Sequence, residues 1–280
     1  MPMVQTSRGA IAYERRGTGP AAVLLHGNAH DRHDWDAVVP ALARELTVFA
    51  VDWPGCGESP APAEPRASTA CGLAALLPEI VAGLGAAPAI LFGNSVGGFS
   101  AARLALTHPA LVRALVLVDS GGFTAHNAAS RLFCRVKGTE LVSRLVAERF
   151  PRFYLRRRTP TVEAMLARSR AHARDTAGIA IDAAIWRSFT APEHDLRAQA
   201  AAIRVPTLIV WGRHDPVLPL RDAEEARRAL PHARSVVLDT GHVPFAEDPE
   251  GFLAAALPFV RDAIAQDAGA MRTATEREVS

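Results

Sequence analysis

Three residues of this chain have the types and the order that nucleophilic attack on an acyl group requires. Ser95 lies in Gly93-Asn94-Ser95-Val96-Gly97, a G-x-S-x-G sequence that directly follows a short apolar run. A serine hydroxyl is a weak nucleophile unless a base takes its proton and an acid orients that base. Asp215 and His242 follow further along the chain, each just after another apolar run. We therefore interpret Ser95 as the nucleophile, His242 as its general base and Asp215 as the orienting acid.

The glycines on both sides of Ser95 suit a sharp turn from a strand into a helix. Such a turn holds the serine in a strained conformation with its hydroxyl exposed. The residues two before and two after it are pressed against neighbouring backbone, and Gly93 and Gly97 occupy those positions. The alternative interpretation is a glycine-rich turn that only caps a helix.

Acyl transfer also needs hydrogen-bond donors for the oxyanion that forms in the transition state. The first apolar run ends in Leu25-His26-Gly27-Asn28. The backbone N–H of Asn28 suits this role if that strand neighbours the strand before Ser95. The N–H of Val96, at the predicted start of a helix, is the second candidate donor, and we interpret His26 as structural.

A second carboxylate, Asp119, competes with Asp215 for the role of the acid. It also follows an apolar run, at the carboxyl end of a predicted strand. We favour Asp215 because its loop, with Pro216, forms a turn that can face the histidine. Asp119 stays open as the alternative.

The elements that must position these residues alternate along the chain. Short strands that are apolar throughout, separated by helices, are typical of a parallel sheet covered on both faces. A small hairpin at 4–6 and 10–14 precedes them. The predicted strands are 21–25, 46–51, 89–92, 114–118, 207–210 and 235–238, and the predicted helices are 35–44, one capped by Ser68, 96–107, 223–230 and 249–264.

The alternation stops between residues 121 and 203, where the sequence suits helices and is rich in Arg, Ala and aromatic residues. A helical insertion into one α/β core explains this better than two separate domains. We predict that 1–120 and 204–265 form the core, that 121–203 form a helical cap, and that the polar segment 266–280 is disordered.

Composition excludes several classes of protein. A net charge of +2 over 280 residues gives no case for a nucleic-acid partner. Three cysteines without CxxC spacing argue against a disulfide framework or a zinc site, so we expect no metal. The apolar segment 71–93 reads as an amphipathic helix and a strand, and the N-terminus lacks a signal-peptide pattern. We expect a cytoplasmic protein without a membrane partner, and its oligomeric state stays open.

Positive charge is concentrated in the predicted insertion. Residues 131–175 hold 12 Lys and Arg against 4 Asp and Glu, a local net charge of +8. Two interpretations stay open, namely a solvated surface and recognition of an anionic small-molecule substrate.

Five motifs in this order resemble the α/β-hydrolase superfamily: His26-Gly27, the turn 52–59, the Ser95 segment, the 211–216 loop and Gly241-His242. The resemblance implies an eight-stranded, mostly parallel sheet flanked by helices, with a helical cap over the site. The expected function is a cofactor-free serine hydrolase of small carboxylic esters or related acyl compounds. Asn94-Ser95 followed by Val96-Gly97-Gly98 is similar to carbon–carbon bond hydrolases of ring-fission products, which is one alternative. A non-catalytic ligand receptor on the same fold is the other.

Overall fold

The computed structural model describes residues 1–278, with side chains as far as residue 266. Its eight strands form one sheet in the order β1-β2-β4-β3-β5-β6-β7-β8. The pairings β1–β2 and β2–β4 are antiparallel and all the others are parallel. The strands are β1 (Met3–Thr6), β2 (Gly9–Arg16), β3 (Ala21–Leu25), β4 (Thr47–Val51), β5 (Ala89–Ser95), β6 (Val112–Ser120), β7 (Thr207–Gly212) and β8 (Arg234–Leu238).

Helices connect the strands and cover both faces of the sheet. They are α1 (Val39–Leu42), α2 (Ala70–Gly83), α3 (Val96–Thr107), α4 (Ala128–Lys137), α5 (Glu140–Val146), α6 (Phe150–Tyr154), α7 (Pro160–His172), α8 (Thr176–Ser188), α9 (Leu220–Ala229), α10 (Pro244–Glu247) and α11 (Pro249–Glu278). Within the described residues, no helix combines the length and the hydropathy needed to span a bilayer.

The order of the strands decides where a site can form. The chain leaves β3 for β4 on one side and then crosses to β5 on the other side, so loops diverge after β3 and β5. The carboxyl ends of parallel strands lie at one edge of a sheet, and a crevice opens where the order of the strands reverses. The segments that follow β3, β5, β6 and β7 therefore meet at this edge.

Alternate residues of each strand point to opposite sides of the sheet. In the central strands both sides are buried, because each face packs against other elements. On one face, Val23, Leu91 and Leu115 pack with the core residues of α2 and α3. On the other face, Leu24, Phe92 and Val116 pack beneath a group of aromatic rings from other elements. In that group Trp35 stacks on Phe245 with ring centroids 3.6 Å apart and contacts Phe252.

Most predicted elements are found, with differences at their ends. The strands at 21–25 and the helix at 96–107 have the predicted bounds. The predicted helix at 35–44 is instead a 3-10 turn at Arg32–Trp35 followed by the four-residue helix α1. Thr69, and not Ser68, caps α2, because its side chain accepts the hydrogen bond from Gly72 N–H. Pro78 lies inside α2, which still begins at Ala70.

Helices α4 to α8 occupy the region between β6 and β7, and no strand is present there among the described residues. We refer to residues 121–203 as the insertion. Part of the segment that we expected to be disordered is helical, because α11 extends to Glu278. Residues 279 and 280 of that segment lie outside the described residues.

Candidate active site

Ser95 ends β5 in a backbone conformation that residues other than glycine rarely adopt. Its φ is 55° and its ψ is −116°, and α3 begins at the next residue. A methyl group on Gly97 would overlap the carbonyl oxygen of Leu25, and one on Gly93 would overlap Gly97 O. The two glycines therefore let the helix start against the ends of β3 and β5, which forces the strained corner at Ser95.

The loop after β3 lies directly beside this corner. A methyl group added to Gly27 would lie 3.5 Å from the Cβ of Ser95. Asn28 follows Gly27, and both line the same cavity as Ser95 and Val96. Val96 is the first residue of α3, so its N–H has no acceptor within the helix. The two N–H groups predicted as oxyanion donors thus belong to Asn28, on the loop after β3, and to Val96, which follows Ser95 in the chain.

Asp215 and His242 are joined by a short hydrogen bond. His242 Nδ1 lies 2.6 Å from Asp215 Oδ2, and both residues are buried. The other oxygen of Asp215 accepts from the backbone N–H groups of Val217, at 2.7 Å, and Leu218, at 3.0 Å. These bonds fix the carboxylate, and the carboxylate in turn fixes the orientation of the imidazole.

The structure brings Ser95 and His242 to one cavity. No hydrogen bond joins their side chains in the part of the chain described. Hydrogen bonds between a nucleophile and its base are often loose without substrate and tighten when substrate binds. Ser95 and His242 thus share a cavity without a direct bond, whereas His242 and Asp215 are joined by a hydrogen bond.

Asp119 lies behind this pair. Carboxylate oxygens of Asp119 and Asp215 and a ring nitrogen of His242 all lie within 4.8 Å of one another. Asp119 Oδ1 accepts from Gly212 N–H at 2.9 Å, and its Oδ2 has no hydrogen-bond partner. Burial, and then the charge of Asp215, raise the pKa of Asp119 well above its ordinary value. The geometry gives the contact with His242 to Asp215, and Asp119 lies behind that pair as a second buried carboxyl group.

Two residues that sequence reasoning passed over hold the loop of His242 in place. The amide of Asn94 donates to Val118 O at 3.1 Å and to His242 O at 3.0 Å. The buried carboxylate of Glu247 accepts from Gly241 N–H at 3.0 Å and from Val243 N–H at 3.2 Å. The sequence pointed to only one of them. Asn94 lies in the motif around Ser95, whereas Glu247 belongs to no motif.

His26 is structural, in agreement with the sequence interpretation. Its Nε2 accepts from Trp53 N–H at 3.0 Å, which leaves Nδ1 to donate to Gly27 O at 2.7 Å. Burial lowers the pKa of His26 and keeps the ring neutral, although nearby carboxylates oppose this shift. His26 therefore links the end of β4 to the loop that carries Asn28.

A buried polar chain connects Asn28 to the insertion. Asn28 Nδ2 donates to Asp182 Oδ1 at 2.9 Å, and Lys137 Nζ lies 2.5 Å from Asp182 Oδ2. Lys137 also donates to Ser143 Oγ at 3.0 Å, and its ammonium lies 5.3 Å from the ring centre of Trp186. The only lysine of the chain thus lies inside the protein, where Asp182 balances its charge.

The cavity at Ser95 is walled on one side by the core and on the other by the insertion. The insertion supplies mostly aromatic and apolar side chains, and the core supplies the loops after β3, β7 and β8. Besides the residues described above, the lining includes His30, Thr124, Phe133, Phe150, Tyr154, His172, Trp186, Phe189, His194 and Asp222.

Comparison with known proteins agrees with this architecture. The family model described as the alpha/beta hydrolase fold matches residues 20–249. This chain belongs to the α/β hydrolase fold family. The eight-stranded, mostly parallel sheet that the resemblance implied is therefore confirmed.

Relatives in this family are esterases and other hydrolases. The chain is 31% identical over 266 residues to a pimeloyl-[acyl-carrier protein] methyl ester esterase of Aeromonas hydrophila, covering 87% of this chain and 96% of that protein. A solved hydrolase from Pseudomonas aeruginosa PA01 is 30% identical, with a TM-score of 0.79 over 92% of this chain and 97% of its own. The enol-lactonase from Burkholderia xenovorans LB400 is 25% identical, with a TM-score of 0.80 over 93% and 100%. These relatives support an esterase activity on this fold.

The charge balance between Lys137 and Asp182 gives a first prediction. Lys137→Met leaves the buried Asp182 carboxylate without a cation and should lower the free energy of unfolding by about 3–5 kcal/mol. Lys137→Met/Asp182→Asn removes both charges and keeps an oxygen to accept from Asn28, so it should be clearly more stable than the single variant. Urea unfolding followed by tryptophan fluorescence measures both. Equal destabilisation of the two variants would show that the pairing of charges is not what matters.

His194 gives a second prediction, on acid stability. The ring packs against Phe99 with centroids 4.3 Å apart, and its Nε2 has no hydrogen-bond partner. Burial, and then the neighbouring His126, lower the pKa of His194 from 6.5 to about 3. The unfolded chain therefore binds a proton between these values that the folded chain does not, so this residue makes unfolding easier as pH falls below 6.5.

The His194→Phe variant keeps an aromatic ring in this place and cannot take up a proton. Relative to the unchanged protein, it should retain about 2 kcal/mol more of its unfolding free energy on going from pH 7 to pH 5. Urea titrations at the two pH values measure the difference. The same loss in both proteins would mean that His194 is not buried in its neutral form.

Proposed function

We propose that this chain is a serine esterase that hydrolyses small carboxylic esters through an acyl-enzyme on Ser95. The observation that carries the proposal is the strained corner at Ser95, which opens into the same cavity as His242 while Asp215 holds His242 at 2.6 Å. A strand-to-helix corner of this kind has few other uses, because the strain must be held by the surrounding fold. The esterase relatives support the same class of reaction.

In the first half of the proposed reaction, Ser95 Oγ attacks the ester carbonyl carbon and His242 Nε2 takes the hydroxyl proton. The backbone N–H groups of Asn28 and Val96 stabilise the oxyanion, where each such donor is worth about 3–4 kcal/mol. The carbon–oxygen bond to the alcohol then breaks, and the imidazolium gives its proton to the leaving alkoxide. Asp215 stabilises the imidazolium throughout and keeps its own charge.

In the second half, water replaces the alcohol. His242 takes a proton from the water as the water oxygen attacks the acyl carbon, and the bond to Ser95 Oγ breaks with return of the proton to the serine. The products are a carboxylic acid and the regenerated enzyme. Every proton moves between Ser95, His242 and the reactants, so the proposed reaction uses no cofactor.

The insertion acts as a cap in this proposal. His242 N–H donates to Tyr154 O at 3.0 Å, so the end of α6 lies on the histidine loop. Asp182 binds Asn28 in the oxyanion loop at 2.9 Å. The aromatic wall that includes Phe150 and Trp186 suits an apolar acyl or alcohol group.

A Ser95→Ala variant tests the nucleophile. It should lower kcat for p-nitrophenyl butyrate by about 10⁴-fold or more, because the acyl-enzyme cannot form. A fluorophosphonate probe should label Ser95 in the unchanged protein, with the site read by mass spectrometry. Ser169→Ala, at a second serine that lines the cavity, is the matched control and should keep both activity and label. A folded protein with neither turnover nor label would instead be a ligand receptor.

The two carboxylates can be separated by replacing each with asparagine. Asp215→Asn should lower kcat by about 10⁴-fold, because the histidine loses the partner that sets its tautomer. Asp119→Asn should keep activity close to that of the unchanged enzyme, because Asp215 and not Asp119 bonds to His242, and an asparagine oxygen can still accept from Gly212 N–H. Thermal unfolding of both variants controls for folding. An equal loss of activity in two folded variants would give Asp119 a direct role.

A further inference from the structure

The insertion carries most of the exposed apolar surface of the chain. Among the described side chains, nine large apolar residues are extensively exposed, and six of them lie between residues 132 and 153. Soluble proteins rarely leave such residues clustered without a use for the surface. We call this cluster the outer apolar face: Leu132, Phe133, Val136, Leu141, Leu145 and Phe153.

The pattern along the helices makes this exposure a property of the fold. Leu132 and Val136 are four residues apart on α4, while Cys134 and Lys137 of the same helix are buried. Leu141 and Leu145 are likewise four apart on α5, and each is 69% exposed. Residues at this spacing share one side of a helix. Each helix therefore has one side against the protein and a second apolar side against solvent.

Exposed arginines surround the outer apolar face and outnumber the acidic residues there. Arg135, Arg144, Arg149 and Arg152 are exposed, and none forms an ion pair with a carboxylate among the described residues. The stretch has two acidic residues: Glu140, which is paired with Arg66 and also feels the charge of Arg144, and the exposed Glu148, so the net charge stays positive. Apolar side chains with arginines between them match a surface that presents anions above and hydrocarbon below.

The outer apolar face continues into the mouth of the cavity. Phe133 is 49% exposed and also lines the cavity, and its ring meets Trp186 edge-on at 5.5 Å. Phe150, which lines the cavity too, stacks on Phe153 of the outer apolar face at 6.2 Å. An apolar path thus joins the outside of the insertion to the space at Ser95.

We propose that the outer apolar face binds the surface of a membrane that contains anionic lipids. The apolar residues belong to three separate helices, α4, α5 and α6, and not to one continuous helix face that a single partner helix would pair with. A second copy of the chain is disfavoured because two such arginine-rich faces would repel each other. Association is peripheral, since no described helix can span a bilayer. This departs from the expectation of no membrane partner, which considered spanning segments only.

Vesicle co-sedimentation tests this directly. The protein should bind vesicles of phosphatidylcholine with 30 mol% phosphatidylglycerol, and bind pure phosphatidylcholine much less. Binding should weaken as salt screens the arginines. Failure to bind the anionic vesicles would overturn the proposal, and so would equal binding to both kinds of vesicle.

Two variants separate the apolar and the charged contributions. Leu141→Asp/Leu145→Asp should lower the partition coefficient about tenfold or more, because two buried apolar contacts are lost. Arg144→Glu/Arg149→Glu/Arg152→Glu should lower it by about a hundredfold. The control Arg227→Glu/Val237→Asp changes an exposed arginine and an exposed apolar residue far along the chain and should leave binding unchanged. A control that binds as weakly as the variants would overturn the proposal.

Other occupants of this face give different results. Binding to soluble polyglutamate that matches the anionic vesicles, and that Leu141→Asp/Leu145→Asp does not weaken, would indicate an acidic protein surface instead. A dimer in light scattering that this same variant dissociates would indicate a second copy. The substituted residues do not line the cavity, so every variant should hydrolyse soluble p-nitrophenyl butyrate at the unchanged rate. Vesicle binding without any hydrolysis would contradict the proposed esterase and leave the membrane surface standing.

Discussion

The close approach of three backbone segments at Ser95 is the constraint on which the rest of the site depends. The start of α3 presses against the ends of β3 and β5, and only glycine at positions 93 and 97 leaves room for the carbonyl oxygens that lie there. The chain can then turn only by placing Ser95 at a φ of 55°. Because the neighbouring strands β3 and β6 are almost wholly buried, they can hold Ser95 in this strained conformation. The hydroxyl is thereby placed at the point where the loops after β3, β5 and β7 converge.

The same corner organises the remaining parts of the site through side chains that carry no chemistry of their own. Asn94, next to the serine, donates to the carbonyl of His242 and so ties the His242 loop to the strand that carries Ser95. Glu247 holds the other side of that loop and also accepts from the backbone of Arg156 and Arg157 in the insertion. The imidazole, the serine corner and the insertion are therefore fixed relative to one another by buried amide and carboxylate groups.

The sequence was enough to predict the strands and the residues that follow them in order. It was not enough to predict contacts between segments that are distant along the chain. All eight predicted strands are found with ends within three residues of those predicted, and β2, β5, β6 and β7 run furthest beyond their predicted ends. Ser95, Asp215 and His242 could be singled out from the sequence because they come at or after the ends of strands in a fixed order, and the structure places all three at one edge of the sheet. The link from Lys137 through Asp182 to Asn28 was not found, because it joins residues far apart in the chain. The first helix is shorter than predicted. Trp35, the predicted start of that helix, instead ends a 3-10 turn, which places its ring in the core.

The distribution of positive charge bears on what the cavity accepts. The segment 131–175 carries a net charge of +8, which raised the alternative of an anionic substrate. Lys137 is the one basic residue of that segment in the cavity lining apart from His172, and Asp182 balances it. Burial lowers the pKa of His172 and keeps its ring neutral. Arg135, Arg144, Arg149 and Arg152 lie outside, among exposed apolar side chains. In the proposals made above, this charge faces what approaches the insertion and the aromatic wall faces what enters the cavity. The cavity needs no anionic group on its substrate to explain the basic segment.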